Sequence, residues 1–137
     1  MKNGEQIFTL DQIHEAFKKV KSGADFPQFV QDLKEIGVIY YDNFVADGRT
    51  MYYGANDFVV YGAPKYDLLA INEIGSSHKI RNSIAIHQQG KTDYPTFCQQ
   101  AAEAGVEKWT THIGDMTVTY LDKNGNKLAI ELIPKIS

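Results

Sequence analysis

The chain has 137 residues, with 17 acidic and 14 basic side chains, and therefore a formal net charge of −3. This acidic balance argues against a nucleic-acid partner, whose phosphates require clustered lysine and arginine. The single cysteine, Cys98, excludes a disulfide within the chain. No apolar run reaches the roughly 18 residues of a transmembrane helix, so we expect a cytoplasmic protein with no membrane partner.

The first predicted elements are two helices followed by three strands. Thr9 and Gln12 form the pattern of a capping box, after which apolar residues recur at helical spacing. Asp25 is a suitable N-cap for a second helix, which Gly37 is expected to end. Apolar side chains then recur at every second position, which predicts strands at 38–45, 50–53 and 57–61.

The same order of elements returns after a linker. Ser77 is expected to open a helix that ends at Gly90, and Asp93 to cap another that ends at Gly105. Three strands are predicted next, the last two joined by an Asn-Gly turn, at residues 106–113, 116–121 and 127–133. In the final strand, the alternation places three side chains toward the core: Leu128, Ile130 and Leu132.

The two series of elements resemble each other in sequence as well as in order. When 25–48 is aligned with 93–116, 8 of 24 residues are identical, whereas unrelated segments would share roughly one or two. We interpret this as an internal duplication. The alternative is that both segments use one common helix-turn-strand arrangement independently.

These observations predict an α+β fold in which an α-α-β-β-β unit occurs twice. Short loops favour an antiparallel sheet, and the apolar helix stripes require helices packed on one face of it. We expect a single domain over 1–137, with unit one at about 1–65, a linker at 66–71 and unit two at about 72–135.

The face of the sheet without helices is the candidate binding surface. In the first unit, the alternation places four aromatic side chains there: Tyr40, Phe44, Tyr52 and Tyr61. An exposed aromatic surface is typical of a binding site or an oligomer interface. The alternative is that the sheets of the two units close on each other, which would make this face ordinary core.

His112 and Glu131 are the candidates for catalysis, because both are predicted on the matching face of the second unit. A neighbouring carboxylate can orient an imidazole for general acid–base chemistry; the alternative is a solvated surface histidine. No closely spaced histidine or cysteine pair and no phosphate-binding loop occurs, so we expect neither a metal nor a cofactor. Cys98 lies on an inward helix face, where a buried, unreactive side chain is expected.

Three segments carry a resemblance to a known family: 87–98, 105–109 and 131–134. With these segments the chain resembles a family of small bacterial and prophage-associated proteins of unknown function, some of them labelled phage envelope proteins. The resemblance implies a bacterial or prophage origin and a stand-alone domain, and it supplies no catalytic residue.

We therefore expect a non-catalytic binding or protein-interaction module that uses the aromatic sheet face and forms a homo-oligomer, most simply a dimer. Its ligand would be a protein or a small molecule. The alternative is a small enzyme or small-molecule-binding protein that uses His112 and Glu131 as a general acid–base pair.

Overall fold

The computed structural model describes residues 6–21 and 23–134. Within them, two helices and three strands are followed by two further helices and three further strands, in the predicted order. The helices are α1 (Leu10–Phe17), α2 (Phe26–Ile36), α3 (Ser77–Gln88) and α4 (Tyr94–Glu103). The strands are β1 (Tyr40–Phe44), β2 (Thr50–Tyr53), β3 (Val59–Tyr61), β4 (Lys108–His112), β5 (Thr117–Leu121) and β6 (Lys127–Leu132).

Local signals at the helix ends explain most of these boundaries. Thr9 and Gln12 form the predicted capping box, each side chain accepting a hydrogen bond from the other's backbone N–H. Asp93 caps α4 by accepting a 2.9 Å bond from the N–H of Thr96. Asp25 is the N-cap residue of α2, as predicted, but its side chain makes no cap bond; the carboxylate accepts a hydrogen bond from the N–H of Lys21 instead.

The six strands form one antiparallel sheet in the order β3-β2-β1-β4-β5-β6. The first strands of the two series, β1 and β4, lie side by side at its centre. The predicted α+β class is thus confirmed. The internal duplication stays a prediction, because a repeated order of elements can also arise without it.

The core lies between the helices and one face of the sheet. On α4, Phe97 packs against Trp109 of β4 and Tyr120 of β5, while Val30 and Leu33 of α2 are fully buried. Burying side chains of this size contributes about 1.5–3 kcal/mol each. Among the residues that the structure describes, no helix has the length and apolar composition needed to cross a membrane.

In two strands, β2 and β6, the side chains that face the helices are not the ones that the sequence predicts. Tyr40 lies opposite Tyr53, so Tyr52 faces the helices and is buried against Tyr41, and its predicted place on the helix-free face is wrong. In β6 the register shifts by one residue at Leu128. A one-residue bulge moves every following side chain to the other face, so Ile130 and Leu132 are exposed instead of buried.

Candidate functional site: the open face of the sheet

The candidate site is the sheet face that carries no helix, which we call the open face. Strand pairing assigns side chains to it, because residues directly opposite each other share a face. Helix contacts such as Phe97 with Trp109 belong to the other side. The open face comprises Val59, Tyr61, Met51, Tyr53, Tyr40, Asp42, Phe44, Lys108, Thr110, His112, Thr117, Thr119, Leu121, Lys127, Ile130 and Leu132.

Three of the four residues predicted as an interface lie on the open face. Tyr40 and Phe44 are half-buried at its centre, and Tyr61 lies at the β3 edge with 64% of its surface exposed. Tyr52 is the exception, as described above. Tyr53, which the sequence interpretation did not select, takes the place next to Tyr40.

The structure does not bring His112 and Glu131 together. His112 pairs with Thr117 and lies on the open face, whereas Glu131 pairs with Val118 and lies on the helix side. Glu131 accepts a 2.8 Å hydrogen bond from the Tyr120 hydroxyl and another from the side chain of Gln88. The predicted sharing of one face by His112 and Glu131 is therefore wrong, and the cause is the bulge in β6.

A buried carboxylate occupies the centre of the open face. Asp42 is only 3% exposed, and its Oδ1 accepts a 2.6 Å bond from the Thr110 hydroxyl. Its Oδ2 accepts longer bonds from the Tyr53 hydroxyl at 3.3 Å and from Lys108 Nζ at 3.4 Å. Burial is tolerated because the carboxylate has three donors, one of them a cation. Sequence reasoning missed this role, although an acidic residue within an aromatic strand was its visible signal.

Aromatic rings lie beside this carboxylate on the open face. Tyr40 and Tyr53 stack with centroids 4.3 Å apart, and His112 lies 6.1 Å from Tyr40 on its other side. Burial, reinforced by the negative charge of Asp42, raises the pKa of Tyr53 to about 12. Tyr53 therefore stays a neutral hydrogen-bond donor at physiological pH.

Phe44 completes the centre of the face. Lys108 Nζ lies 5.7 Å from its ring centroid, and the guanidinium of Arg49 lies 4.8 Å from it, distances typical of cation–π contacts. Lys108 thus contacts both the carboxylate of Asp42 and an aromatic ring, which fixes the position of its charge.

Cys98 is buried, as predicted, and burial raises the pKa of its thiol. A buried thiol with a raised pKa is a poor nucleophile. Over residues 6–21 and 23–134, no three histidine, cysteine or acidic side chains form a group that could hold a metal ion.

Comparison with known proteins identifies the family. Residues 14–132 match a family described as protein of unknown function DUF1398. The chain belongs to this family. It is also 24% identical over 125 residues to the uncharacterized protein YcgX of Escherichia coli (strain K12), a match that covers 89% of this chain and 93% of YcgX. The resemblance to a family of unknown function, drawn from the sequence, is thus confirmed.

Proposed function

We propose that this protein is a non-catalytic interaction module whose open face is covered by a second copy of the chain. The observation that carries the proposal is the exposure of large apolar side chains at both ends of that face. Tyr61 is 64% exposed at the β3 edge, and Ile130 and Leu132 are 59% and 78% exposed at the β6 edge. Apolar side chains gathered on one face, with polar groups between them, are typical of interaction surfaces.

The charges at the centre of the face are compatible with self-association. Asp42 is compensated by Lys108, and its remaining lone pairs are used by Thr110 and Tyr53. Two copies can therefore approach without bringing uncompensated like charges together, which would otherwise oppose association.

The order of the strands supports a specific geometry. A two-fold axis parallel to the strands, lying between two facing sheets, places β3 of one copy over β6 of the other. Tyr61 of each copy then covers the exposed aliphatic pair of its partner, Ile130 and Leu132. Facing sheets pack about 10 Å apart with their strands aligned to within about 30°, which this arrangement allows.

The size of the face predicts a reversible dimer. Six strands about 4.8 Å apart and about 17 Å long present roughly 400 Å² before side-chain relief is counted. Interfaces at this low end of the range, burying less than about 600 Å² per partner, are usually transient. We therefore expect a monomer–dimer equilibrium that depends on protein concentration.

Sedimentation of matched variants tests the proposal. Tyr61→Glu and Leu132→Glu should each weaken the dimer about 10-fold or more, because each places a charge in a desolvated contact. Leu68→Glu is the control, since Leu68 is 80% exposed in the linker and lies outside the open face. It should leave the equilibrium unchanged.

Two results would overturn the proposal. One is a wild type that remains monomeric up to about 1 mM, which would leave less than about 4 kcal/mol for association. The other is a dimer that all three variants form equally well. The alternative function as an acid–base enzyme has lost its basis, because His112 and Glu131 lie on opposite faces.

A further inference from the structure

Among the residues that the structure describes, no strand pairs with the outer edge of β6, which therefore carries hydrogen-bonding groups that the sheet does not use. Ile133 lies opposite Met116 and donates its N–H to the carbonyl oxygen of Met116. Since bonded and non-bonded pairs alternate along an antiparallel ladder, Ile130 and Leu132 direct their N–H and C=O groups away from β5. These groups form a template to which a further strand can pair. At the other edge of the sheet, β3 offers only three residues.

Helix α3 runs beside this edge and makes it into a cleft. The cleft is a groove open to solvent with a volume of about 570 Å³. From α3, side chains three and four positions apart face it, so that they form one helical stripe. They are Arg81, Ile84, Ala85 and Gln88, and the opposite wall is the β6 segment 127–131.

The two ends of the cleft differ in charge. At one end, Gln88 contacts Glu131, whose carboxylate also accepts from Tyr120. Helix α3 and strand β6 both run toward that end, where Gln88 is the last residue of α3. Arg81 and Lys127 come earlier in the same two elements and therefore line the other end. Neither Arg81 nor Lys127 forms an ion pair within residues 6–21 and 23–134. This end therefore favours a negatively charged group.

We propose that the cleft between β6 and α3 binds an extended segment of another protein by strand addition. The segment pairs antiparallel with β6, the more stable orientation, and bonds to the outward groups of Ile130 and Leu132. Its apolar side chains, at alternate positions, contact Ile84 and Ala85. An acidic side chain at its C-terminal end reaches Arg81 and Lys127.

The shape of the cleft selects an extended peptide over a folded partner. Strand addition obtains affinity from the main chain and specificity from alternate side chains. With the helix as a second wall, a single extended chain can contact the edge strand and the Ile84–Ala85 surface at once. The cleft shares Ile130 and Lys127 with the edge of the open face. The main-chain groups of β6 and the side chains of α3 that the segment uses take no part in the proposed dimer, so the inference does not depend on that dimer.

Capped hexapeptides of alternating threonine and valine provide the probe. One peptide ends in an aspartate amide, a second in an asparagine amide and a third in a lysine amide; a fourth ends in asparagine with a free carboxylate. Titration of the full chain followed by NMR should show the aspartate peptide binding at least about 5-fold more tightly than the other amides, the scale of one ion pair. The free-carboxylate peptide should bind no better than its amide, because the acidic group is a side chain.

Two pairs of variants locate the binding. Arg81→Glu should weaken binding of the aspartate peptide about 5-fold or more. Lys79→Glu makes the same charge change on α3 away from the cleft and should leave the affinity for this peptide unchanged. Ile130→Pro removes the outward N–H without removing a ladder bond and should abolish binding. Ile130→Thr keeps the N–H and should bind as the wild type does. If Ile130→Pro fails to fold by circular dichroism, the Arg81 and Lys79 pair decides alone.

Several results would overturn the inference. These are the absence of binding by every peptide, equal affinity for the aspartate and lysine peptides, and equal loss of affinity in Arg81→Glu and Lys79→Glu. Shift changes confined to open-face residues such as Tyr40 would also do so. Amide protection of Ile130 and Leu132 in a β6-paired dimer without peptide would replace the partner segment with a second copy of the chain.

Discussion

The two halves of the molecule, 10–61 and 77–132, use the helix-covered face in the same way and the open face differently. In both, the second strand carries a buried tyrosine toward the helices, Tyr52 in β2 and Tyr120 in β5. On the open face, the first half contributes aromatic side chains, while the second contributes threonines and an aliphatic edge. Packing constrains the covered face, and the open face is free to differ, which is why we assign function to it.

The largest expected effect tests whether the two covered faces are equally buried. Tyr52→Glu and Tyr120→Glu should each destabilise the protein by about 3–5 kcal/mol or prevent folding, because both replace a buried ring with a carboxylate. Tyr61→Glu, on the exposed part of the open face, should change the free energy of unfolding by less than about 0.5 kcal/mol. Urea denaturation of the three variants measures the difference.

A stable Tyr52→Glu protein would contradict the register of β2, and with it the assignment of Tyr53 to the open face. Marked destabilisation by Tyr61→Glu would show that the open face belongs to the core.

The glycines that end α2 and α4 occupy equivalent places in the two halves but differ in the space around them. Gly37 and Gly105 both have a positive φ, 106° and 81°, so alanine costs about 1–2 kcal/mol at either position. At Gly105 an added Cβ would lie 2.6 Å from the carbonyl oxygen of Ile74 and 2.7 Å from Gly75 Cα, both backbone atoms. At Gly37 the near atom is a side-chain methyl of Ile7, which can move.

We therefore expect Gly105→Ala to destabilise the protein by about 2–5 kcal/mol and Gly37→Ala by about 1–2 kcal/mol. Gly90→Ala is the control, since Gly90 has a φ of 75° and nothing within 4 Å of an added Cβ. Thermal denaturation of the three variants would contradict this account if the Gly105 variant were no less stable than the Gly90 variant.

The order of elements was predictable from the sequence because each element carries its own local signal. The capping box at Thr9, the glycine at 37 and the aspartate at 93 act over four residues or fewer. The paired positions Asp42 and Thr110 are 68 residues apart, the offset of the sequence repeat. A duplicated unit packed about a local two-fold axis would give this pairing, so the register supports the predicted duplication.

The faces of β2 and β6 were not predictable in the same way. Alternation shows that a strand has two faces, but the phase depends on the turn before the strand and on bulges within it. The extra residue at Leu128 has no local signature, and it moved Glu131 to the helix side and Ile130 to the open face. The buried carboxylate of Asp42 depends on the pairing of β1 with β4, which only the folded chain defines.

The smallest expected effect distinguishes the aspartates that precede α2 and α4. Hydrogen bonds from the side chain and backbone N–H of Thr96 hold the pKa of Asp93 below its ordinary value. A carboxyl with a lowered pKa stabilises the fold above its unfolded pKa of about 3.9 and loses that contribution as the pH falls through the folded value.

Asp93→Ala should therefore be slightly less stable than the wild type at pH 7, and the difference should shrink as the pH falls below about 4. Asp93→Asn keeps a capping oxygen without the titration and should lie close to the wild type at pH 7. Urea midpoints at several pH values measure these differences; a gap between the alanine variant and the wild type that stays constant down to pH ~2 would show that the charge of Asp93 does not contribute.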